Sequence, residues 1–224
     1  GDVLRALSPC RRWAGLPLSD FHFDRAGYLR LLGLRSLPPP TPAGLVELHR
    51  SHCFAIPFEN IDPLLGRPVP LDLPSLQEKF LGRGRGGYCF EQNTFFAAVL
   101  AEAGFSATPA LGRVWMGRPE PGGRTHLVNL VHLDGQLWLA DVGFGGPGLL
   151  EAIPYKVGFS GEQGGRRIRL EADPHWGVLY QDFFEGAWRT IYSVANEATQ
   201  AVDITQGNHY CATHGDSVFT SHLY

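Results

Sequence analysis

The stretch RTHLVNLVHLDGQLWLADV, residues 124–142, decides how the chain folds. Apolar and polar residues alternate on both sides of Asp134-Gly135, and this dipeptide is the strongest short signal for a two-residue hairpin turn. The pattern predicts two antiparallel strands, residues 124–133 and 136–142, in which residue 133 pairs with residue 136. The segment therefore indicates an antiparallel β-sheet.

The register of this hairpin places a histidine beside an acid. Asp141 pairs with Val128, and His126 lies on the same face of the sheet as Val128 because side chains alternate along a strand. Diagonal neighbours lie about 7–8 Å apart at the backbone, so the two side chains can share a hydrogen bond. His132 has no such acid beside it. A His–Asp pair is the orienting half of a nucleophile–His–acid triad.

The first part of the chain, residues 1–104, has a helical pattern. Asp24 can cap a first helix, and Thr41 followed by proline predicts the start of a second. A third helix is predicted over residues 89–103, where a glycine follows. The proline-rich segment 57–74 between them is predicted to be an extended loop. Helices thus precede the strands.

The pattern changes to short strands from about residue 107, with glycine turns between residues 164 and 194. After residue 194 the pattern predicts no element. The sequence therefore indicates an α+β fold with a boundary near Gly104.

Composition limits the classes of function. Of the 224 residues, 44% are hydrophobic and the formal charge is −3. A basic surplus is absent, which argues against binding to nucleic acid or to an anionic membrane. No apolar run approaches the ~18 residues of a membrane span, and the first residues lack the apolar segment of a signal peptide. Four cysteines without a CxxC pair predict reduced thiols in a cytoplasmic protein.

Two other motifs have simpler explanations. GRGRGG at residues 82–87 matches the dinucleotide fingerprint, but a helical segment and not a strand precedes it. The glycines are better explained as a sharp turn into the third helix. His209, Cys211 and His214 could ligate a metal, but zinc usually takes four ligands and no second cluster is evident. We therefore predict no metal site.

Cys89 follows Gly86-Gly87-Tyr88 and opens the third helix. The positive end of a helix dipole lowers the pKa of a thiol from about 8.5 toward neutrality. Cys89 is then a candidate nucleophile if a histidine reaches it, the alternative being a small buried apolar residue. Together with His126 and Asp141 it completes a possible Cys–His–Asp triad.

These residues belong to motifs that resemble the arylamine N-acetyltransferase family. The motifs, in the family's order, are IPFEN at 56–60 with DPLLG at 62–66, RGGYCFEQN at 85–93, RTH at 124–126, LADVGFGG at 139–146 and ATHGDS at 212–217. The resemblance implies that Cys89, His126 and Asp141 form a catalytic triad with a core like that of the cysteine proteinases.

The resemblance also implies three domains. We expect a helical domain over residues 1–104, an antiparallel β-barrel domain over residues 105–194, and the start of a third, lid domain over residues 195–224. The chain departs from the family in its first twenty residues and in having Gly215 where proline is expected. Family members continue beyond the last residue, so we expect the lid to be absent or incomplete.

The resemblance assigns further roles, which the residue pattern alone does not. Substrate contacts are expected from Phe144, Gly145 and Phe58, with Thr213 and Ser217 on the coenzyme A side. Supporting roles close to the triad are expected from Arg85, Glu59 and Asn93. No tightly bound cofactor is implied, and acetyl-CoA or another acyl thioester serves as cosubstrate.

The implied reaction moves an acyl group, usually acetyl, from the thioester through an acyl-cysteine to an arylamine or hydrazine. One alternative is an ansamycin-type amide synthase, which would take a polyketide from an acyl carrier protein and close it onto an aryl amine. The short chain and its excess of Arg over Lys fit this alternative. A papain-like hydrolase or glutaminase and a non-catalytic binding protein fit the motifs less well.

Overall fold

The computed structural model describes residues 21–195 and 197–224. The helices are α1 (Arg25–Leu32), α2 (Pro42–Ala55), α3 (Ile61–Leu64), α4 (Leu73–Gln77), α5 (Cys89–Glu102) and α6 (Ala201–Thr213). The strands are β1 (Ser106–Val114), β2 (His126–Leu133), β3 (Gln136–Ala140), β4 (Ile153–Pro154), β5 (Ser160–Gln163), β6 (Arg166–Asp173), β7 (Gly177–Phe184) and β8 (Ala187–Val194). One of the four cysteines, Cys10, and the segment in which a signal peptide would lie fall outside the described residues.

Local capping starts the first helices where the sequence predicts. The Asp24 carboxylate accepts the N–H of Gly27 at 2.8 Å, and the Thr41 hydroxyl accepts the N–H of Gly44 at 3.1 Å. The prediction of an extended loop over 57–74 is wrong in part, because this segment contains α3 and the start of α4. Proline is tolerated there because it falls in the first turns of these helices, where N–H groups lack partners anyway.

The predicted hairpin is present between β2 and β3. Leu133 pairs with Gln136 and Asn129 with Ala140, as the two-residue turn requires. Asp134 and Gly135 both have positive φ, 50° and 74°, which this turn needs. The predicted strands are longer than the observed ones, because β2 begins at His126 and β3 ends at Ala140. Asp141 therefore lies just beyond the ladder.

The expectation of an antiparallel β-barrel requires correction. The strands form one antiparallel sheet in the order β4-β3-β2-β1-β8-β7-β6-β5, and among the described residues its edge strands β4 and β5 do not pair. The side chain of Gln163 on β5 instead accepts the N–H groups of Leu150 and Glu151, just before β4. The sheet is therefore a half-barrel bridged by a side chain rather than closed by backbone hydrogen bonds.

Helix α5 is the central element of the fold. Twelve consecutive residues, from Cys89 to Leu100, are buried. Phe95 and Phe96 pack with Tyr28 of α1 and the leucines of α2 in one apolar cluster. The sheet covers the same helix through Val131 of β2. The last helix, α6, which the sequence pattern did not predict, contacts the start of α5. A Cβ added at Gly207 would lie 2.7 Å from the ring of Phe90. Burial on all sides fixes the position of the α5 N-terminus.

None of the helices within the described ranges is long and apolar enough to cross a membrane.

Two buried histidines should make the folded chain sensitive to acid. His49 and His52 of α2 are inaccessible to solvent, and burial lowers the pKa of His49 to about 4 and that of His52 to about 3. An unfolded chain protonates both near pH 6.5. Because the unfolded state then binds more protons than the folded state, the free energy of unfolding falls as the pH drops from about 6.5 toward these lowered pKa values.

We expect these two groups to remove on the order of 5 kcal/mol of unfolding free energy between pH 7.5 and pH 4.5. Urea unfolding followed by tryptophan fluorescence measures this loss. His52→Gln should reduce the loss, because glutamine does not titrate, whereas His175→Gln at an exposed site should leave it unchanged. An equal acid-dependent loss in the His52 variant and in the native chain would contradict the assignment.

Candidate active site

The structure places Cys89 at the first position of α5, with 3% of its surface exposed. The N–H of Tyr88, just before the helix, donates to the carboxylate of Glu91 at 3.2 Å. Gly86 lets the chain approach residues 57–59 closely, since an added Cβ would lie 1.9 Å from the carbonyl oxygen of Pro57. The glycines thus serve the sharp turn that the sequence predicts, and the thiol sits where backbone N–H groups have no helical partner.

The side chains of His126 and Asp141 are in contact at one end of the β2–β3 hairpin. Nε2 of His126 is 2.7 Å from Oδ2 of Asp141, and neither residue is more than 2% exposed. His126 is the first residue of β2 and Asp141 follows the end of β3, so the hairpin brings them together. Because Nε2 faces the carboxylate, Nδ1 is the ring nitrogen left for Cys89.

The charges of this pair stabilise each other. Burial by itself lowers the pKa of His126, but the charge and hydrogen bond of Asp141, together with the contact to Cys89, raise it to about 10. Burial acts to raise the pKa of Asp141, but the charge of His126 and hydrogen bonds from His126, Asn93 and Gly143 hold it below its usual value. At neutral pH the pair therefore carries an imidazolium and a carboxylate.

Cys89 differs from the sequence expectation in one respect. Burial raises the pKa of its thiol, whereas the dipole argument predicts a lowered value, and the hydrogen bond and charge of His126 act against the effect of burial. A thiolate at this position depends on the imidazolium of His126 and not on the helix end alone.

The side chain of Asn93 joins α5 to the end of the β2–β3 hairpin. Its Nδ2 donates to Oδ1 of Asp141 at 2.9 Å and to the carbonyl of Leu127 at 2.7 Å, and its Oδ1 accepts the N–H of Val142 at 3.2 Å. Gly143 makes this close approach possible, because an added Cβ would lie 2.7 Å from Cα of Cys89.

Arg85 and Glu59 belong to a cluster of charges beside the start of α5. Arg85 donates to Glu59 at 2.6 Å and to Asp62 at 2.9 Å. Lys79, 8% exposed, lies 2.8 Å from Asp62 and 2.6 Å from Glu91. Burial raises the pKa of Glu91 to about 7 despite the opposing charge of Lys79. The cluster joins the segment before α5 to α3 and holds both in place.

Aromatic rings surround His126. The rings of Phe144 and Tyr192 lie 4.9 Å and 4.8 Å from the imidazole, centroid to centroid. Phe58 packs on Gly145, where an added Cβ would lie 2.9 Å from the Phe58 ring. Phe144, Gly145 and Phe58 therefore lie close to the His–Asp pair, and Tyr192 joins them.

The hydroxyls of Thr213 and Ser217 form hydrogen bonds within the C-terminal segment. The hydroxyl of Thr213, at the exposed end of α6, donates to the carbonyl of His209 at 2.7 Å. The hydroxyl of the buried Ser217 donates to the carbonyl of Cys211 at 2.7 Å. Cys211 is the residue of α6 that reaches the site, since its sulfur lies 3.6 Å from the Thr125 carbonyl, which the sulfur of Cys89 also contacts at 3.7 Å.

His209 and His214 do not join Cys211 in a ligand set. Across the described ranges, no group of three or more His, Cys, Asp and Glu side chains is arranged to hold a metal ion.

Sequence reasoning missed a buried polar chain behind the site. The Tyr28 hydroxyl lies 2.8 Å from Nδ1 of His52, and Nε2 of His52 lies 2.9 Å from Oε1 of Gln92. The Gln92 amide then donates to the carbonyls of Pro57 and Gly87. Only the spacing of polar residues on otherwise apolar helices could have indicated this chain.

A family profile described as N-acetyltransferase matches residues 43–224. The chain is 36% identical over 197 residues to arylamine N-acetyltransferase / N-hydroxyarylamine O-acetyltransferase of Salmonella typhimurium, covering 88% of this chain and 70% of that protein. The Escherichia coli arylamine N-acetyltransferase is 38% identical, and the match covers 80% of this chain and 64% of that protein. The chain thus spans about two thirds of the length of these two relatives.

A more distant relative has a different name. Proansamycin X synthase of Amycolatopsis mediterranei is 30% identical over 185 residues, a match that covers 81% of this chain and 71% of that protein.

Solved structures share the fold. Nocardia farcinica arylamine N-acetyltransferase superposes with a TM-score of 0.84 at 35% identity, covering 96% of this chain and 76% of that one. The Mycobacterium marinum enzyme in complex with CoA superposes with a TM-score of 0.82 at 33% identity, covering 89% and 75%. The mixed helices and half-barrel sheet therefore match a known fold. On the profile match and these identities, the chain belongs to the arylamine N-acetyltransferase family of acetyltransferases.

Proposed function

We propose that this chain transfers an acyl group from a thioester such as acetyl-CoA to an arylamine or hydrazine, through an acyl-cysteine at Cys89. The observation that carries the proposal is the junction of the α5 N-terminus with the hairpin. There the sulfur of the buried Cys89 lies 3.7 Å from the carbonyl oxygen of Thr125, the residue before His126, and Nε2 of His126 lies 2.7 Å from Oδ2 of Asp141. A thiol, a base and an orienting acid in this order are the parts of a nucleophilic acyl transfer.

The first step acylates the enzyme. The Cys89 thiolate, paired with the His126 imidazolium, attacks the thioester carbonyl, and the C–S bond to coenzyme A breaks as the tetrahedral intermediate collapses. The departing coenzyme A thiolate takes the Nδ1 proton of the imidazolium, which leaves His126 neutral in the acyl-enzyme and able to act as a base in the next step. The free N–H of Cys89 at the helix start is suited to stabilise the oxyanion.

The second step transfers the acyl group to nitrogen. A neutral arylamine attacks the acyl-cysteine, and Nδ1 of His126 accepts the proton that the new C–N bond leaves on nitrogen. The Cys89–acyl bond then breaks and regenerates the thiolate beside an imidazolium. Asp141 holds the ring with Nε2 toward the carboxylate and stabilises its positive form.

Aromatic side chains favour an aryl acceptor. Phe144, next to His126, and Phe58, on Gly145, offer ring surfaces on which an aromatic amine can pack. For coenzyme A we propose the side of α6, where Thr213 is exposed and Ser217 is buried with its hydroxyl already donated. The M. marinum relative was solved with CoA, which supports a CoA thioester as cosubstrate.

A second candidate function is that of an amide synthase. It would accept a polyketide from an acyl carrier protein and close it onto an aryl amine in the same molecule. The similarity to proansamycin X synthase favours this candidate, although the identity is lower than to the named acetyltransferases. Both candidates use the same thiol and differ in the acyl donor.

Intact-mass measurement distinguishes the two. The protein is incubated either with acetyl-CoA or with a long acyl thioester of pantetheine. Its intact mass is then measured before and after an arylamine is added. We expect one acetyl group on Cys89, released when the arylamine is added. Acylation by the long thioester but not by acetyl-CoA would favour the amide synthase. If neither thioester acylates the protein, the proposal is contradicted. Cys211→Ser serves as the matched control and should still be acylated.

Thiol labelling tests the ion pair directly. At pH 6, limiting iodoacetamide is expected to alkylate Cys89 before Cys10, Cys53 and Cys211. Burial raises the pKa of all three thiols, to about 12 for Cys53 and Cys211, but the charge of His126 acts against this effect at Cys89. His49, the neighbour of Cys53, is neutral because burial lowers its pKa. Thiolate population outweighs intrinsic nucleophilicity, which changes with pKa with a slope of only about 0.4–0.5.

Peptide mapping after partial labelling identifies the first thiol to react. Cys10, outside the described residues, has no acid or histidine close to it in sequence and is expected to react at the rate of an ordinary thiol. First labelling of Cys211 would mean that the active thiol has been assigned to the wrong cysteine.

A further inference from the structure

We propose that His49 is a positioning residue for Asp141, and that it clamps both ends of the loop from Asp141 to Leu150 onto helix α2. The inference rests on the proposed function, since it concerns the acid of the proposed triad. It starts from a backbone group. Strand β3 ends at Ala140, so the N–H of Asp141 has no partner in the sheet. A buried N–H without an acceptor is costly.

His49 supplies that acceptor from the helical part of the chain. The N–H of Asp141 donates to Nε2 of His49 at 3.0 Å, between residues 92 positions apart. The other nitrogen, Nδ1, lies 3.2 Å from the carbonyl oxygen of Leu150. Since Nε2 accepts, the proton must be on Nδ1, which donates to Leu150. One ring thus holds the first and last residues of the loop.

The environment of His49 keeps it in this form. The ring is fully buried, and it packs edge-on against Phe96 with 5.8 Å between centroids. Burial lowers its pKa to about 4, although the charges of Asp141 and Glu151 act to raise it. The imidazole is therefore neutral at working pH and serves as a fixed donor and acceptor, not as a titrating group.

The clamped loop carries the residues next to the reacting atoms. Asp141 is its first residue, and Phe144 and Gly145 lie within it. Its middle is held from the opposite side, where Arg166 donates to the carbonyls of Pro147 and Gly148 at 2.8 and 2.6 Å. Asn93 of α5 binds the start of the loop at Asp141 and Val142, and His49 of α2 ties both of its ends to the helical part of the chain that contains Cys89.

The first test is spectroscopic. Nitrogen-15 NMR of histidine side chains should show one neutral imidazole with the proton on Nδ1, which does not titrate between pH 8 and pH 5 and disappears in His49→Gln. A proton on Nε2 of His49, or titration near pH 6.5, would overturn the proposal.

The second test compares variants. His49→Phe keeps an aromatic ring but removes both hydrogen bonds, and we expect a loss of about 100-fold in kcat, as a displaced catalytic group can cause. It should also shift the alkylation of Cys89 to higher pH, in the direction of Asp141→Asn. His49→Gln retains a donor and an acceptor and should recover most of both properties. Phe96→Leu controls for packing, and should lower Tm without moving the alkylation profile.

The outcomes separate this inference from the function on which it rests. If Asp141→Asn moves the alkylation profile and folded His49→Phe does not, the positioning role is wrong and the triad stands. If Asp141→Asn itself leaves the profile unchanged, Asp141 does not support the ion pair and the positioning role is wrong, whereas only a lack of acylation of Cys89 by both thioesters contradicts the proposed function. If His49→Phe does not fold, the His49→Gln variant and the NMR tautomer still decide.

Discussion

Cys89→Ser is expected to abolish acyl transfer, with kcat reduced by about four orders of magnitude or more. Serine preserves the shape of the site, but its hydroxyl is not ionised near neutral pH, and the imidazolium of His126 cannot convert it to an alkoxide. The native residue is 3% exposed and at the first position of α5, where serine is well tolerated, so Tm should change little. Steady-state acetylation of an arylamine measures the loss.

Two cysteine variants make the result specific. Cys53→Ser and Cys211→Ser remove the other described thiols, and each is expected to keep acylation of the enzyme by acetyl-CoA. Mass spectrometry of the Cys89 variant should detect no acetylated protein. Retention of more than a few per cent of native activity by Cys89→Ser would show that the nucleophile is another group.

The features that the sequence predicts correctly are those decided within a few residues. Asp24 and Thr41 cap helices through bonds to N–H groups three residues away, and Asp134-Gly135 adopts the two positive φ angles of its turn. The alternation on each side of that turn then places His126 beside Asp141. A hairpin converts local pattern into a contact between residues fifteen apart, which is why this pair could be found from sequence.

The features that the sequence does not predict depend on contacts between distant segments. His49 bonds to a residue 92 positions later, and no local pattern encodes such a pair. The same holds for the half-barrel, in which Gln163 replaces the backbone pairing of a closed barrel. The helix over Ala201–Thr213 has weak apolar periodicity and packs through a glycine on Phe90. Tertiary packing decides such helices more than propensity does.

The pKa of Cys89 illustrates the same division. A helix start is visible in the sequence, and its dipole predicts a lowered thiol pKa. The burial of the thiol is not visible there, and burial acts in the opposite direction and is the larger effect. What remains in favour of a thiolate is the charge on His126, and that charge is maintained by Asp141. Asp141 therefore controls the ionisation of Cys89 through its effect on the charge of His126.

Asp141→Asn should test this dependence, with an expected loss of up to about 10⁴ in kcat, the size found for the orienting acid of a serine protease. Without the carboxylate, only the hydrogen bond and charge of Cys89 oppose the effect of burial on His126, so the pKa of His126 should fall. Cys89 then loses its counter-charge. The pH at which iodoacetamide alkylates Cys89 should rise, measured from the second-order rate across pH 5 to 10.

The His126–Asp141 pair should also make the free energy of unfolding depend on pH. In the native chain the pKa of His126 is raised to about 10, so its contribution to the free energy of unfolding is complete below about pH 6.5 and is lost as the pH rises toward 10. Asp141→Asn should remove that alkaline loss. Asp182→Asn is a matched control, because Asp182 is an equally buried acid paired with Arg189 at 2.8 Å. Asp182→Asn should destabilise the fold without changing the pH profile of Cys89 alkylation. If both variants shift that profile equally, general destabilisation, and not the His126–Asp141 pair, sets the reactivity of Cys89.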